Sequence, residues 1–232
     1  MNLIYLKKED FISWNKFVDN SPQGSVFAKT WYLDALQVKY DILTLSENNS
    51  VKAGIVLTKN EINTYSNPML DKYLGILFVN EKGNHYKVIS KQYKYLEFLA
   101  KELKHIKSFD YYFHPSFKNW IPLSWLGFTQ QTRYTYRIIN KTKTIEEIYS
   151  SFHGNIKNDI KNAQKEKVII KQDIPFETLW DLVSKTFIRQ GNKPPFNKNK
   201  LKNFIIELKN NNSFMSFGAY NNTGTCIAAC GI

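Results

Sequence analysis

The stretch NIKNDIKNAQKEK, residues 155–167, spaces lysines 157, 161 and 165 four apart and contains only two acids, Asp159 and Glu166. At about 100° per residue, a helix here gathers Lys157, Lys161 and Lys165 within roughly 80° of arc and sets Ile156, Ile160 and Ala163 on a separate apolar stripe. Three ammonium groups on one face can hold phosphate as point charges, and the same spacing also suits a solvated surface helix. A second polar group lies in FIRQGNKPPF, 187–196, where Arg189, Gln190 and Lys193 surround Gly191. They can line a cleft, although Gly191 and Pro194 also read as the C-cap and stop of a helix. In YLGILFV, 73–79, Tyr73 and Gly75 are candidate substrate contacts. Gly75 permits close backbone approach by a ligand or marks a bulge. Tyr136 belongs with Tyr134 to an expected strand, of which at most one face can meet a ligand.

Other chemistries find little support. The four histidines, His85, His105, His114 and His153, lack the partner spacing of a metal site or a nucleophile–base pair. Cys226 and Cys230 stand without a Cys or His cluster, which argues against both a disulfide framework and a zinc site. The formal charge of +12 favours an anionic partner: nucleic acid, nucleotide-sugar, phospholipid surface or CoA-type phosphate. Only three of the 32 basic residues are arginine, the usual bidentate reader of guanine edges, so sequence-specific duplex recognition is disfavoured. Residues 139–232 carry 14 Lys and Arg against 8 Asp and Glu, and 185–209 alone carry 7 against 1. With no apolar run approaching 18 residues and no signal-peptide pattern at the start, a cytoplasmic location is expected.

These groups need elements to position them. Apolar spacing predicts a helix over 10–19 with Asp10 as N-cap, and another over 28–38 with Trp31, Ala35 and Val38 inward. Strands are expected at 40–45, 51–57, 62–65 and 73–79. A long helix over 85–106 would present Tyr86, Ile89, Tyr93, Leu96, Ala100 and Leu103 to the core. FDYYFH, 109–114, reads as a strand and WIPLSWLGF, 120–128, as an aromatic loop. In the second half, RYTYRII at 133–139 reads as a strand and Thr144 with Glu147 as a capping box. After the basic helix come a strand at 168–172, a helix after Pro175, a helix after Asn197, and a hairpin of SFMSFGAY and TCIAACGI. Each half thus runs strand, helices, antiparallel strands: an α/β fold with mixed sheets and a duplicated architecture, divided into domains 1–137 and 138–232.

Five segments carry a family resemblance: WNKFVDNSPQGSVFAKTWYLDAL (14–36), NPMLDKYLGILF (67–78), RYTYRI (133–138), IKNDIKNAQKEKVII (156–170) and FIRQGNKPPF (187–196). In this order they resemble FemAB-like proteins, a branch of the GNAT acyltransferase superfamily with two GNAT-like domains in tandem. The resemblance implies transfer of an acyl or aminoacyl group to an amine on a cell-envelope precursor or glycan. Acyl-CoA or aminoacyl-tRNA would be the donor substrate, a phosphorylated small molecule or glycan the acceptor, and no cofactor would be tightly held. It also implies that the basic helix opens the second domain beside the acceptor cleft. The family's Arg-rich start to that helix is altered here, with Asn155 and Lys157 near the arginine positions, so the bidentate fork is lost. The second domain reaches residue 232 before the splayed strand and Gly-rich turn of a GNAT donor site, so it is expected to be incomplete. Two other readings stand beside the transferase. One is a non-catalytic RNA- or tRNA-binding module; the other is a degenerate half-enzyme completed by a partner, for which the TCIAACGI edge would favour a homodimer.

Overall fold

The computed structural model describes residues 1–135 and 142–232, in two compact units, Met1–Gln131 and Thr132–Ile232.

The first unit begins with strand β1 (Asn2–Tyr5), a 3-10 turn, and helices α1 (Phe11–Asn20) and α2 (Thr30–Ala35). Asp10 precedes α1, but its carboxylate accepts from the Lys7 N–H at 3.3 Å and makes no side-chain cap to the helix. Helix α2 is shorter than the spacing predicts and buries Thr30, Tyr32 and Leu33, whereas Trp31, Ala35 and Val38 are only half-buried. The cause is local: residues 26–28 form a separate 3-10 turn, so the helical phase starts two residues late.

Strands β2 (Tyr40–Glu47) and β3 (Ser50–Glu61) form the central antiparallel hairpin, and β1 pairs with the outer edge of β2. Strands β4 (Thr64–Ser66) and β5 (Leu77–Phe78) both pair with β3. Helix α3 (His85–Leu103), strand β6 (Ser108–Asp110) and helix α4 (Ile121–Trp125) follow, with β6 parallel to β4. The sheet is therefore mixed, in the order β1-β2-β3-β4-β6 with β5 beside β3.

Alternation along β2 and β3 sorts the core into two layers. Leu43, Leu45, Ala53, Ile55 and Leu57 pack against Tyr95, Leu96, Leu99, Ala100 and Leu103 of α3. Ile42 and Val56 face the other way, with Trp14, Val18 and Leu33 of α1 and α2. Gly54 makes this second layer possible, because a Cβ there would lie 2.6 Å from the Trp14 ring. The Trp14 Nε1–H donates to the Ala28 carbonyl at 2.8 Å, so the buried indole keeps its polar partner.

Two expectations are corrected here. Tyr86, assigned to the core stripe of α3, is 81% exposed; the buried face instead includes Tyr95 and Leu99 because the stripe drifts around the helix. Within the aromatic loop expected at 120–128, Ile121–Trp125 form helix α4, with Pro122 in its first turn, where its missing N–H costs nothing.

In the second unit the capping box holds: the Thr144 side chain accepts from the Glu147 N–H at 3.2 Å, and Glu147 accepts from the Thr144 N–H at 2.8 Å. Helix α5 (Ile145–Ser150) leads to α6 (Gly154–Lys165), β7 (Ile169–Gln172), α7 (Phe176–Arg189), α8 (Lys198–Asn210), β8 (Ser216–Tyr220) and β9 (Cys226–Gly231). Most of the strand expected at 133–139 lies outside the described residues, and 133–135 are not in a strand. The sheet β7-β8-β9 is antiparallel throughout. Its core is Ile174, Leu179 and Ile205, with Phe176, Val183 and Leu201 around them.

The two units repeat one plan. In each, a strand, two helices and an antiparallel hairpin follow in sequence, and the first strand pairs antiparallel with the first strand of the hairpin.

Candidate functional site

The strongest concentration of unusual chemistry lies in the first unit, where the chain leaves β4 and runs to β5. Asn67 and Pro68 open a turn in which the Asp71 N–H donates to the Pro68 carbonyl at 3.2 Å. Leu70, the third residue of this turn, has φ 72°, the left-handed value usually left to Gly or Asn. The Tyr32 hydroxyl, reaching over from α2, donates to the Leu70 carbonyl at 2.7 Å and holds that conformation. Beyond the turn, the Asn67 side-chain carbonyl accepts from the Tyr112 N–H at 2.7 Å, tying the turn to the segment after β6.

Asp71 is the product of this arrangement. Its side chain is buried, only 5% exposed. Oδ1 accepts from the Asn67 amide at 3.1 Å, whereas Oδ2 has no hydrogen-bond partner among the described residues. Burial pushes the carboxyl up to about 7, against the weaker opposing pull of the Asn67 amide and the Tyr73 backbone N–H. A carboxyl that changes charge near neutral pH is suited to proton transfer. Two phenols border it. Burial and the nearby Asp71 charge raise Tyr32. Burial raises Tyr111 to about 12, opposed by Thr58, whose N–H donates to the Tyr111 hydroxyl at 2.8 Å.

Tyr73, a predicted site residue, continues the same wall. Its ring meets His114 edge-on at 5.4 Å and Phe27 at 6.2 Å, and Phe27 in turn meets Tyr32 at 5.4 Å. Gly75 is buried, and a Cβ there would lie 2.3 Å from the Phe113 ring. The close approach at Gly75 is thus made by an aromatic side chain of the protein itself.

In the second unit, Lys157 and Lys161 both lie on α6. Lys157 is half-buried; its Nζ donates to the Ser150 carbonyl at 2.6 Å and stands 6.0 Å from the Tyr149 ring centre, capping the end of α5. Lys161 is exposed. Ile156, expected on the packed stripe, is 48% exposed, and Ile160 and Ala163 are half-buried, so α6 has no fully buried residue. Arg189 ends α7 and Gln190 caps it; Gly191, at φ 75°, donates its N–H to Ile188. The Asn192 N–H reaches the Phe187 carbonyl, and Arg189, Gln190 and Lys193 are all exposed around this cap. Tyr136 lies outside the described residues. Spacing thus gathers Lys157 with Lys161 and Arg189 with Gln190 and Lys193. It missed Asp71, whose only sequence signal was an acid placed just after an Asn-Pro turn opening.

Among the described residues no group of three or more His, Cys, Asp or Glu side chains could hold a metal ion, and no helix is long and apolar enough to cross a membrane.

A solved structure of FemX matches this chain with a TM-score of 0.61 and 15% sequence identity, over 94% of this chain and 57% of that one. The fold is similar to that of FemX. The mixed α/β organisation and the repeated strand–helix–helix–hairpin plan are consistent with tandem GNAT-like domains in this FemX-like fold. The chain spans 57% of the FemX chain that it matches. No protein-family description matches the sequence, and no curated protein matches it.

Proposed function

We propose that this chain belongs to an acyl- or aminoacyltransferase that moves an acyl group from acyl-CoA or aminoacyl-tRNA to an amine on a cell-envelope precursor or glycan. The observation that carries the reading is the FemX-like fold over 94% of the chain. The five segments that resemble FemAB-like proteins support it from the sequence. The acceptor amine attacks the ester or thioester carbonyl directly, and a charge-stabilising amide site accommodates the oxyanion. Lys161, Arg189, Gln190 and Lys193 are exposed donors available to a phosphorylated acceptor.

A UDP-linked muropeptide is the first acceptor to test, by thermal denaturation with and without ligand. Binding at 100 times Kd stabilises the folded state by about 2.7 kcal/mol, a rise in Tm of several degrees. No rise at saturating muropeptide, across several peptide stems, would remove this acceptor class.

The exposed lysines of α6 favour a second reading, a polyanion-binding module for tRNA. It requires tRNA affinity that falls steeply between low and physiological salt. Affinity insensitive to salt would eliminate it.

A further inference from the structure

We propose that the turn around Asp71 is a recognition site for a primary ammonium group, with Oδ2 of Asp71 accepting one of its N–H bonds and, during transfer, its proton. The proposal rests on the transferase reading for the identity of the amine, but its binding step stands on the local structure.

Asp71 is 5% exposed, and its Oδ2 has no hydrogen-bond partner among the described residues. A buried carboxylate oxygen without a donor is costly, and such groups in folded proteins call for an explanation. Lysine is the commonest charged residue of this chain, yet the groups acting on this carboxyl are the Asn67 amide and the Tyr73 backbone N–H. In the ionised form Oδ2 lacks a donor, and a cationic donor balances the charge that appears when the carboxyl ionises.

The surroundings fit an ammonium group. The rings of Tyr32, Phe27, Tyr73 and His114 form a continuous series of edge contacts beside the turn, and aromatic surfaces attract ammonium groups. The turn itself lies at the surface: Met69 is 57% exposed and Leu70 37% exposed. Leu70, one residue before Asp71, holds φ 72° with its carbonyl bonded to the Tyr32 hydroxyl, so this turn stores backbone strain beside the carboxyl. The titratable groups facing the carboxyl from packed elements are Tyr32 of α2 and Tyr111 after β6, both phenols that stay neutral at physiological pH.

In the transfer, the bound ammonium gives one proton to the Asp71 carboxylate and becomes a neutral amine. Its nitrogen forms the new N–C bond as the C–O bond of an aminoacyl ester, or the C–S bond of an acyl thioester, breaks. The second proton leaves with the released hydroxyl or thiol.

The test uses n-butylammonium as probe and carboxyl-labelled protein followed by 13C NMR. Saturating n-butylammonium lowers the Asp71 titration midpoint by about one unit or more, whereas n-butyltrimethylammonium, with no N–H to donate, leaves it in place. Asp71→Asn abolishes the saturable backbone shifts that the primary amine causes around residues 67–73. An unmoved midpoint, an equal response to the quaternary amine, or unchanged amine binding in Asp71→Asn overturns the proposal. Should Asp71→Asn not fold, the midpoint measured on the unaltered protein decides alone. No donor or phosphorylated acceptor is present, so a failed muropeptide experiment and a failed amine site give separate results.

Discussion

Tyr32 and Leu70 are joined by a 2.7 Å hydrogen bond from phenol to backbone carbonyl, which links helix α2 to a leucine in left-handed conformation 38 residues away. The phenol is buried and the carbonyl belongs to the turn that ends at Asp71. Removing the hydroxyl with Tyr32→Phe should destabilise the protein by about 1–3 kcal/mol, read as a lower urea midpoint. Leu70→Gly should do the opposite, by about 1 kcal/mol, because glycine adopts the positive φ without the Cβ clash. A loss of stability in Leu70→Gly would show that the leucine side chain outweighs the strain.

Asp71 should impose a slope on stability against pH. Its carboxyl is raised by burial from 3.8 to about 7 in the folded protein. Between roughly pH 4 and 7 the unfolded chain therefore loses this proton while the folded chain keeps it, and stability falls as pH rises. The penalty is absent below about pH 4, grows through that window and is complete above about 7. A three-unit difference corresponds to at most about 4 kcal/mol. Asp71→Asn should match the parent at pH 4 and exceed it at pH 8, in urea denaturation at both values. Equal stability differences at the two pH values would mean that the carboxyl titrates normally.

Gly75→Ala should overpack the contact with Phe113, since the added carbon would sit 2.3 Å from that ring. The expected loss is about 1–3 kcal/mol. Combining it with Phe113→Leu should recover part of that loss. Additive losses in the double variant would place the cost elsewhere.

Lys157 and Lys161 should separate. Lys157→Met removes the charge that caps α5 at Ser150 and should cost about 0.3–1 kcal/mol, visible as a lower Tm. Lys161→Met should leave stability within about 0.5 kcal/mol. If α6 meets a phosphorylated acceptor, Lys161→Met should weaken it about two- to fivefold in titration calorimetry. Muropeptide affinity unchanged in Lys161→Met would leave the lysine as a solvated surface group.

The sequence by itself determined the elements that depend on local contacts. The Thr144–Glu147 capping box, the Asn197 cap on α8 and the Gly191 helix end are each set by residues within a few positions of one another. The strand-forming runs at 40–45 and 51–57, separated by the turn-forming residues 47–50, likewise specified the central hairpin, though not its full extent over 40–47 and 50–61. The helices and hairpins of the repeated plan were legible this way, whereas the opening strand β1 was not. Only the tertiary structure decided which face of α3 is core, because a stripe spread over 19 residues drifts around a straight helix and the sheet selects one sector. It also decided the Asp71 site. Nothing near residue 71 in sequence says that Tyr32 will cross from α2 to pin Leu70, or that Tyr111 will stand beside the carboxyl. Burial is a property of chain segments distant in sequence, and burial is what turns an ordinary aspartate after a turn into a carboxyl that titrates near neutral pH.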